Sequence, residues 1–494
     1  MRFKISYIAL IAVMVFTIVM GVSCKKIRVQ TVGGTLKFSV DTLKFDTVFT
    51  AAGSFTTGLV IYNPQNEEVV LSSVKLQEGA NTYFHLNVDG WPVNGIGSAT
   101  NLKIAAHDSL YVFATVNIDP NNKLTPFVVT DSLVATMNGK QYFIPFTAYG
   151  QNAHYIVDSA LATNATWGVD GLPYVIIWNG DTTRPRGLQI NPGVTLTLAK
   201  DCHIYMHQNA GVAVFGTLIA NGTLTDSVIF QGDRLDRSYF GYMGYPGEWG
   251  GLYFGSKSNG SKLTNTIIEN CGNGALGIAA AIWVDIDSNN LNSLYSSTPQ
   301  LTLNNCTIQN SYGYGIYSYH GTVYASGCLI NTTGQQALAI LLGGYDSIVN
   351  CTFANYGTSA VSHANAGTVA VLDYYWDGIT GDPTYYANLN AIFHNCIVYG
   401  SLDSEMTCDT SGSPASTQVR LVMDHCLLKM GHVREPFIQF PGCLFNQDPM
   451  FKNTATGDFH LNSGSPAIGA GSGMIPGNNL DNIPWISPPD IGCY

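Results

Sequence analysis

One short phrase returns through the second half of the chain at a nearly constant distance. Leu301 to Asn310 (LTLNNCTIQN) is echoed by Val323 to Asn331 (VYASGCLIN), Ser347 to Asn355 (SIVNCTFAN), Asn390 to Tyr399 (NAIFHNCIVY) and Leu421 to Lys429 (LVMDHCLLK). Its cysteine falls at 306, 328 and 351, in steps of 22 and 23 residues. A repeat of that size, rich in β-branched residues, is one turn of a parallel β-helix, in which each coil contributes short strands that pair with the coils above and below. An isolated coil could not bury its apolar face, whereas a stack can. The next cysteines follow at intervals of 45 and 30, which the spacing predicts to be two turns and one turn plus a loop.

The repeat also decides most of the thiol chemistry. A disulfide framework brings cysteines together in pairs from varied places, but Cys306, Cys328, Cys351, Cys396 and Cys426 share one repeat position, held by Thr266 in an earlier coil. They are expected to form an internal ladder of reduced thiols spaced about 4.8 Å apart. That is too short a register between adjacent strands for an unstrained cross-link. No CxxC pair suggests a metal site, and no cofactor is expected. Cys202, Cys271, Cys408, Cys443 and Cys493 are left without a role.

Earlier segments extend the pattern. Gly187 to Leu198, Gly211 to Thr223 and Ser227 to Phe230 read as opening coils, followed by Gly247 to Phe254 and Ser261 to Asn270. Ahead of them, residues from about Thr35 to Gly150 alternate apolar and polar positions in short runs. Leu36 to Val40, Thr57 to Tyr62, Val69 to Val74 and Ser109 to Val116 are the clearest strands, with Asn63-Pro64 and Asp119-Pro120-Asn121-Asn122 as turns. Seven or so strands predict a β-sandwich. The fold class expected is all-β, a right-handed parallel β-helix over 154–446 preceded by a sandwich over 35–153.

Charged residues make up 11% of the chain, against about 25% in an ordinary soluble domain. The formal charge of -11 comes without a basic run, so a nucleic-acid partner is disfavoured on electrostatic grounds. The amino terminus carries Arg2 and Lys4, an apolar run from about Tyr7 to Val22, and then Gly21-Val22-Ser23-Cys24. Those are the parts of a secretory signal over 1–23, and its end resembles the bacterial lipobox. The resemblance implies acylation of Cys24, a linker over 24–34, and attachment to the outer membrane at its cell-surface or periplasmic face. Buried methylenes contribute about 0.8 kcal/mol each, so several acyl chains would make the membrane a lasting partner.

Two further resemblances concern architecture. Thr50 to Thr56 and the exit Thr147 to Ala153 resemble the immunoglobulin-like domains that precede larger modules in bacterial surface proteins. The stretches Gln447 to Phe451, Gly457 to Ile468 and Pro489 to Gly492 are similar to the closing segment called choice-of-anchor Q, departing at Gly469, where that family carries an acid. This resemblance implies a capping segment over 447–494, since a final coil with an open edge would template pairing with another chain.

The repeats themselves resemble the pectate-lyase-like fold, which hosts lyases, hydrolases and proteins without catalysis, so function must be argued from residues. Hydrolysis needs converging carboxylates, and the fragments nearest to that pattern, Tyr319-His320-Gly321 and Met430-Gly431-His432, lack an adjacent acid pair. Elimination needs cations, with calcium as a cofactor under that alternative alone. Arg234 and Arg237 beside Asp233 and Asp236 are the dense candidates, and they also fit a solvated turn with exposed ion pairs. The sharper feature is aromatic residues assigned to insertions: Tyr242 and Tyr245; Trp283 with Asp285 and Asp287; Tyr312, Tyr314, Tyr317 and Tyr319 before His320; and Asp373, Tyr375, Trp376 and Asp377. Sugar rings stack on aromatic faces while their hydroxyls bond Asp, Asn and His. The expected function is a membrane-anchored extracytoplasmic protein binding glycan or another surface polymer. The alternatives are a polysaccharide lyase or glycoside hydrolase, and a structural or adhesive surface protein.

Overall fold

The computed structural model describes residues 28–50, 52–120, 124, 126–235, 244–287, 298–364, 366–376, 383–410, 417–431, 437–473 and 476–494. Cys24, Asp236, Arg237, Tyr242 and Asp377 lie outside them. The chain divides into two compact units, Met1–Gln151 and Asn152–Tyr494.

The first unit is a β-sandwich of two five-stranded sheets. The runs Thr57–Tyr62 and Ser109–Val116 are strands paired antiparallel. Their inward residues Leu59, Ile61, Leu110, Val112 and Ala114 join Phe45, Phe84 and Phe146 in one core. The strand count is higher than the alternation suggests because Phe84–Val88, Trp91–Asn94 and Ser98–Ile104 are separated by turns too short to read as boundaries. One pair, Leu43–Phe49 with Lys140–Gln151, is parallel.

The second unit is a right-handed parallel β-helix with three faces, of eleven, nine and ten strands among the described residues. A coil visits them in turn. Leu329–Thr333 lies on the first face, Leu338–Leu341 on the second and Gly344–Val349 on the third. The first complete coil starts at His154–Val157, before the repeat becomes regular in sequence. Inside, side chains stack in columns at the strand spacing. On the first face one column runs Ile204, Phe230, Ile268, Ile308, Ile330, Phe353, Val398 and Leu428. Each such side chain is worth about 1.5–3 kcal/mol on full burial, and it is covered only when coils lie on both sides.

The corner from the third face to the first explains the repeated cysteine. Asn265, Asn305, Gly327, Asn350, Asn395, His425 and Gly442 all have positive φ, between 43° and 64°. A left-handed residue is tolerated best as glycine or asparagine, and it turns the chain sharply enough to aim the next side chain into the coil. That next residue is Thr266, Cys306, Cys328, Cys351, Cys396, Cys426 or Cys443. The strands that follow pair directly, Thr307 with Leu329, Leu329 with Thr352, Thr352 with Ile397, Ile397 with Leu427 and Leu427 with Leu444. Six cysteines therefore stand on successive coils. The 45-residue interval between Cys351 and Cys396 is one coil with an insertion, rather than two turns, because the insertion carries its own antiparallel hairpin, Tyr374–Trp376 with Pro383–Tyr386.

The ladder is hydrogen-bonded along its length. The amides of Cys306, Cys328, Cys396 and Cys426 donate to the next sulfur at 3.4–3.5 Å. Burial pushes the thiols of Cys306, Cys328, Cys351, Cys396 and Cys426 well above the usual range. At the end of the row the half-buried Cys443 is drawn below it, chiefly by its hydrogen bond with Cys426. Because the thiolate is the reactive form, iodoacetamide is expected to alkylate Cys443 in the native protein at least about ten-fold faster than Cys351, as read by peptide mass spectrometry. Equal rates would mean that the stack opens as readily as its end.

The segment read as an end cap lies along the flank of the first face. Phe459 and Cys493 pack against the outward side chains of Leu329 and Ala354, and Ala467 and Ile491 against Ile397 and Leu427. The Cys493 amide donates to Thr352 Oγ1 at 3.1 Å, and Asn305 Nδ2 to the Asn478 carbonyl at 3.0 Å. The first face is thus covered over several coils, while outward aromatic residues stand on the second face and, as Tyr324 and Tyr345, on the third.

Candidate functional site

Register places the aromatic residues. On the second face Ala213, Tyr253, Trp283, Tyr317, Ala339, Ala370 and Thr407 are successive partners in one outward-facing row. Trp283 and Tyr314–Tyr319 are therefore on strands of this face, not on insertions. The first rings support one another, Tyr253 against Trp283 at 4.4 Å between centroids and Tyr317 against Tyr314 at 5.0 Å. After Tyr317 the row drops from rings to the methyl groups of Ala339 and Ala370. The hairpin that follows Leu372 then raises Tyr374 and Tyr375 beside this low ground.

The result is a cleft of about 390 Å³. Its floor is Ala339, Leu341, Ala370 and Leu372; Tyr314, Tyr317, Tyr374 and Tyr375 stand around it, with Gln336, Thr407 and Ile278 at the margin. Tyr319 meets the ring of Tyr375 edge-on at 5.1 Å. Burial, reinforced by neighbouring tyrosines, pushes the hydroxyls of Tyr314, Tyr317 and Tyr319 above the ordinary phenol value, so they remain protonated donors in neutral solution. Two carboxylates near the face are already engaged. Tyr253 donates to Asp285 Oδ2 at 2.8 Å, and Tyr374 to Asp409 Oδ2 at 2.6 Å.

The residues singled out from sequence separate into three groups. Tyr375 lines the cleft, Tyr319 braces it, and Trp283 with Asp285 continues the same face. Asp287, His320 and Asp373 are buried, at 2%, 7% and 0% exposure. Asp287 accepts from Thr322 Oγ1 at 2.7 Å, and His320 Nδ1 lies 2.7 Å from the Leu342 carbonyl, at the bend between the second and third faces. Tyr245 is half exposed outside the cleft lining. The strand containing Trp376 is described, and its side chain is not. Tyr317 is one of the four closely spaced tyrosines between 312 and 319. Gln336, Ala339, Ala370 and Thr407 carried no aromatic signal, and the register of the coils alone connects them to it.

Outside the cleft, several titratable groups pair with one another. Asp233, in the charged turn, lies 2.6 Å from His207. In the flanking segment His460 sits between Asp458 and Asp481, with its ring on Tyr494 at 3.9 Å. Asp424 bridges His394 and His425. No group of three or more His, Cys, Asp or Glu among the described residues has the geometry to hold a metal ion.

No family model matches the chain, and no curated protein matches it. Among solved structures, a family 123 glycoside hydrolase from Clostridium perfringens, studied for glycolipid glycan hydrolysis, aligns at 11% identity over 27% of this chain and 30% of its own, with a TM-score of 0.19. The PapD-like domain 7 of human CEP192 aligns at 11% identity over 26% of this chain and 94% of its own, with a TM-score of 0.16. At these scores neither likeness carries an argument about this chain.

Proposed function

We propose that this chain is a lipid-anchored extracytoplasmic β-helix protein that binds glycan in the tyrosine cleft of its second face. The observation that carries the reading is the lining itself, four tyrosines around a hydrocarbon floor with hydroxyls and one amide at the edge. Flat apolar surface beside a few polar groups suits a sugar ring, whose C–H face stacks while its hydroxyls are bonded. Binding is favoured over catalysis because no carboxylate, Lys, Arg or His is among the described residues of the lining, and hydrolysis or elimination draws on those groups. Attachment rests on Gly21-Val22-Ser23-Cys24 after an apolar run.

The test is a glycan array probed with the full chain in a non-glycosidic detergent, alongside Tyr317→Ala and Tyr375→Ala. Binding to at least one glycan is expected, falling at least about ten-fold in both variants, which corresponds to about 1.4 kcal/mol. An array without binding, or variants that bind like the parent, would remove the cleft as the site. Radioactive palmitate is expected to label the protein in cells and not its Cys24→Ser variant; equal labelling would dismiss the anchor.

A further inference from the structure

We infer that the cleft selects a short, uncharged saccharide, a chain end or free oligosaccharide, and rejects acidic polymers. This rests on the reading of the cleft as a glycan site and adds its ligand class. The first ground is charge. The described lining offers hydroxyls from tyrosine and Thr407, the Gln336 amide and alkyl groups, with no cation to neutralise a uronate or sulfate. Asp409, behind Tyr374, is an acid and supplies no positive charge. A carboxylate placed there would lose hydration with no positive partner to offset the loss, which burial makes expensive.

The second ground is length. Along the row the floor begins after Tyr317 and spans the rungs of Ala339, Ala370 and Thr407. That is about 14 Å at the spacing of neighbouring strands. At one end stand Tyr317 and Tyr314, and the ridge of Trp283 and Tyr253 continues at ring height beyond them. A polymer running straight along the coil axis would have to climb that step, whereas a chain end can rest against Tyr317. The volume agrees, being near the small end of the range for ligand pockets.

Calorimetric titration of the full chain in a non-glycosidic detergent tests this with four probes: cellobiose, lactose, digalacturonate and polygalacturonate. A neutral disaccharide is expected to bind at least about ten-fold more tightly than digalacturonate, with an affinity unchanged between low and high salt. Ala370→Tyr should abolish that binding by filling the floor with a ring of the kind the row already carries two coils earlier. Its thermal unfolding serves as the check on folding, and Thr407→Tyr blocks the far end of the floor if that variant is unstable. Tighter binding of either uronate, weakened by salt and lost in the floor variants, would overturn the ligand class and leave the glycan site standing. Uronate binding that the floor variants do not affect, or no binding by any probe alongside an empty array, would overturn the site as well.

Discussion

Replacing Glu405 by alanine is expected to cost about 3–5 kcal/mol of folding stability, the usual penalty for breaking a buried, fully hydrogen-bonded charged group. Its side chain and that of His363 are 0% and 1% exposed, with 2.9 Å between Oε2 and the imidazole Nε2. The same oxygen accepts from the Thr368 amide at 3.1 Å and hydroxyl at 2.7 Å, and Oε1 accepts from the Leu402 amide at 2.6 Å. Burial alone would raise this carboxyl, but the hydrogen bonds from His363, Thr368 and Leu402 outweigh it and hold the group below the ordinary glutamate value. The sign of the pH dependence follows. Stability from Glu405 is present above the unfolded value, near 4.3, and is lost as pH falls through the lower folded value. Glu405 ties the loop carrying His363 to the strands that include Ala370 and Thr407, so the cleft floor depends on it. Urea unfolding should rank the parent most stable, Glu405→Gln next and Glu405→Ala least, with the difference from the parent shrinking in acid. A loss below about 1 kcal/mol for Glu405→Ala at neutral pH would show that the group is not the tie described.

Architecture is more legible than site because the two depend on different regularities. The corner residue and the side chain after it repeat in the successive coils from Asn265 to Gly442, so pairs such as Asn305-Cys306, Asn350-Cys351 and Asn395-Cys396 announce the stack directly. The surface row has no such regularity. From Tyr253 to Thr407 its members lie 30, 34, 22, 31 and 37 residues apart, since turns of different length intervene, and a ring on one coil must be matched to an alanine on the next. The same uncertainty made Cys351 to Cys396 read as two turns. Local composition also misdirects. Asp287 and His320 sit among aromatic residues in sequence, yet at the bend between faces His320 meets the Leu342 carbonyl and Asp287 accepts from the Thr322 hydroxyl. Asp346 gave no sequence signal at all, because its neighbours Tyr345 and Ser347 point outward and resemble any exposed strand.

Asp346→Asn is expected to remove a pH dependence that runs opposite to that of Glu405. Asp346 is fully buried on the third face, in an inward column between Val323 and Ala391. One donor reaches it, the Val323 amide at 3.2 Å to Oδ1, and Oδ2 has no partner among the described residues. Desolvation therefore dominates and pushes the carboxyl well above its ordinary value. The unfolded chain releases this proton near pH 3.9, whereas the native state keeps it to higher pH. Between those values the unfolded state binds fewer protons, so stability falls as pH rises, by up to about 1.4 kcal/mol per pH unit. Asparagine keeps an oxygen for the Val323 amide and has no proton to lose. Urea unfolding of parent and variant should therefore agree near pH 4 and diverge in the variant's favour as pH rises above it. Two buried carboxylates in one β-helix would then differ in sign for a single reason, the number of donors each one meets. Parallel curves for parent and Asp346→Asn across that range would mean that the interior supplies the charge with a partner, and the distinction from Glu405 would fail.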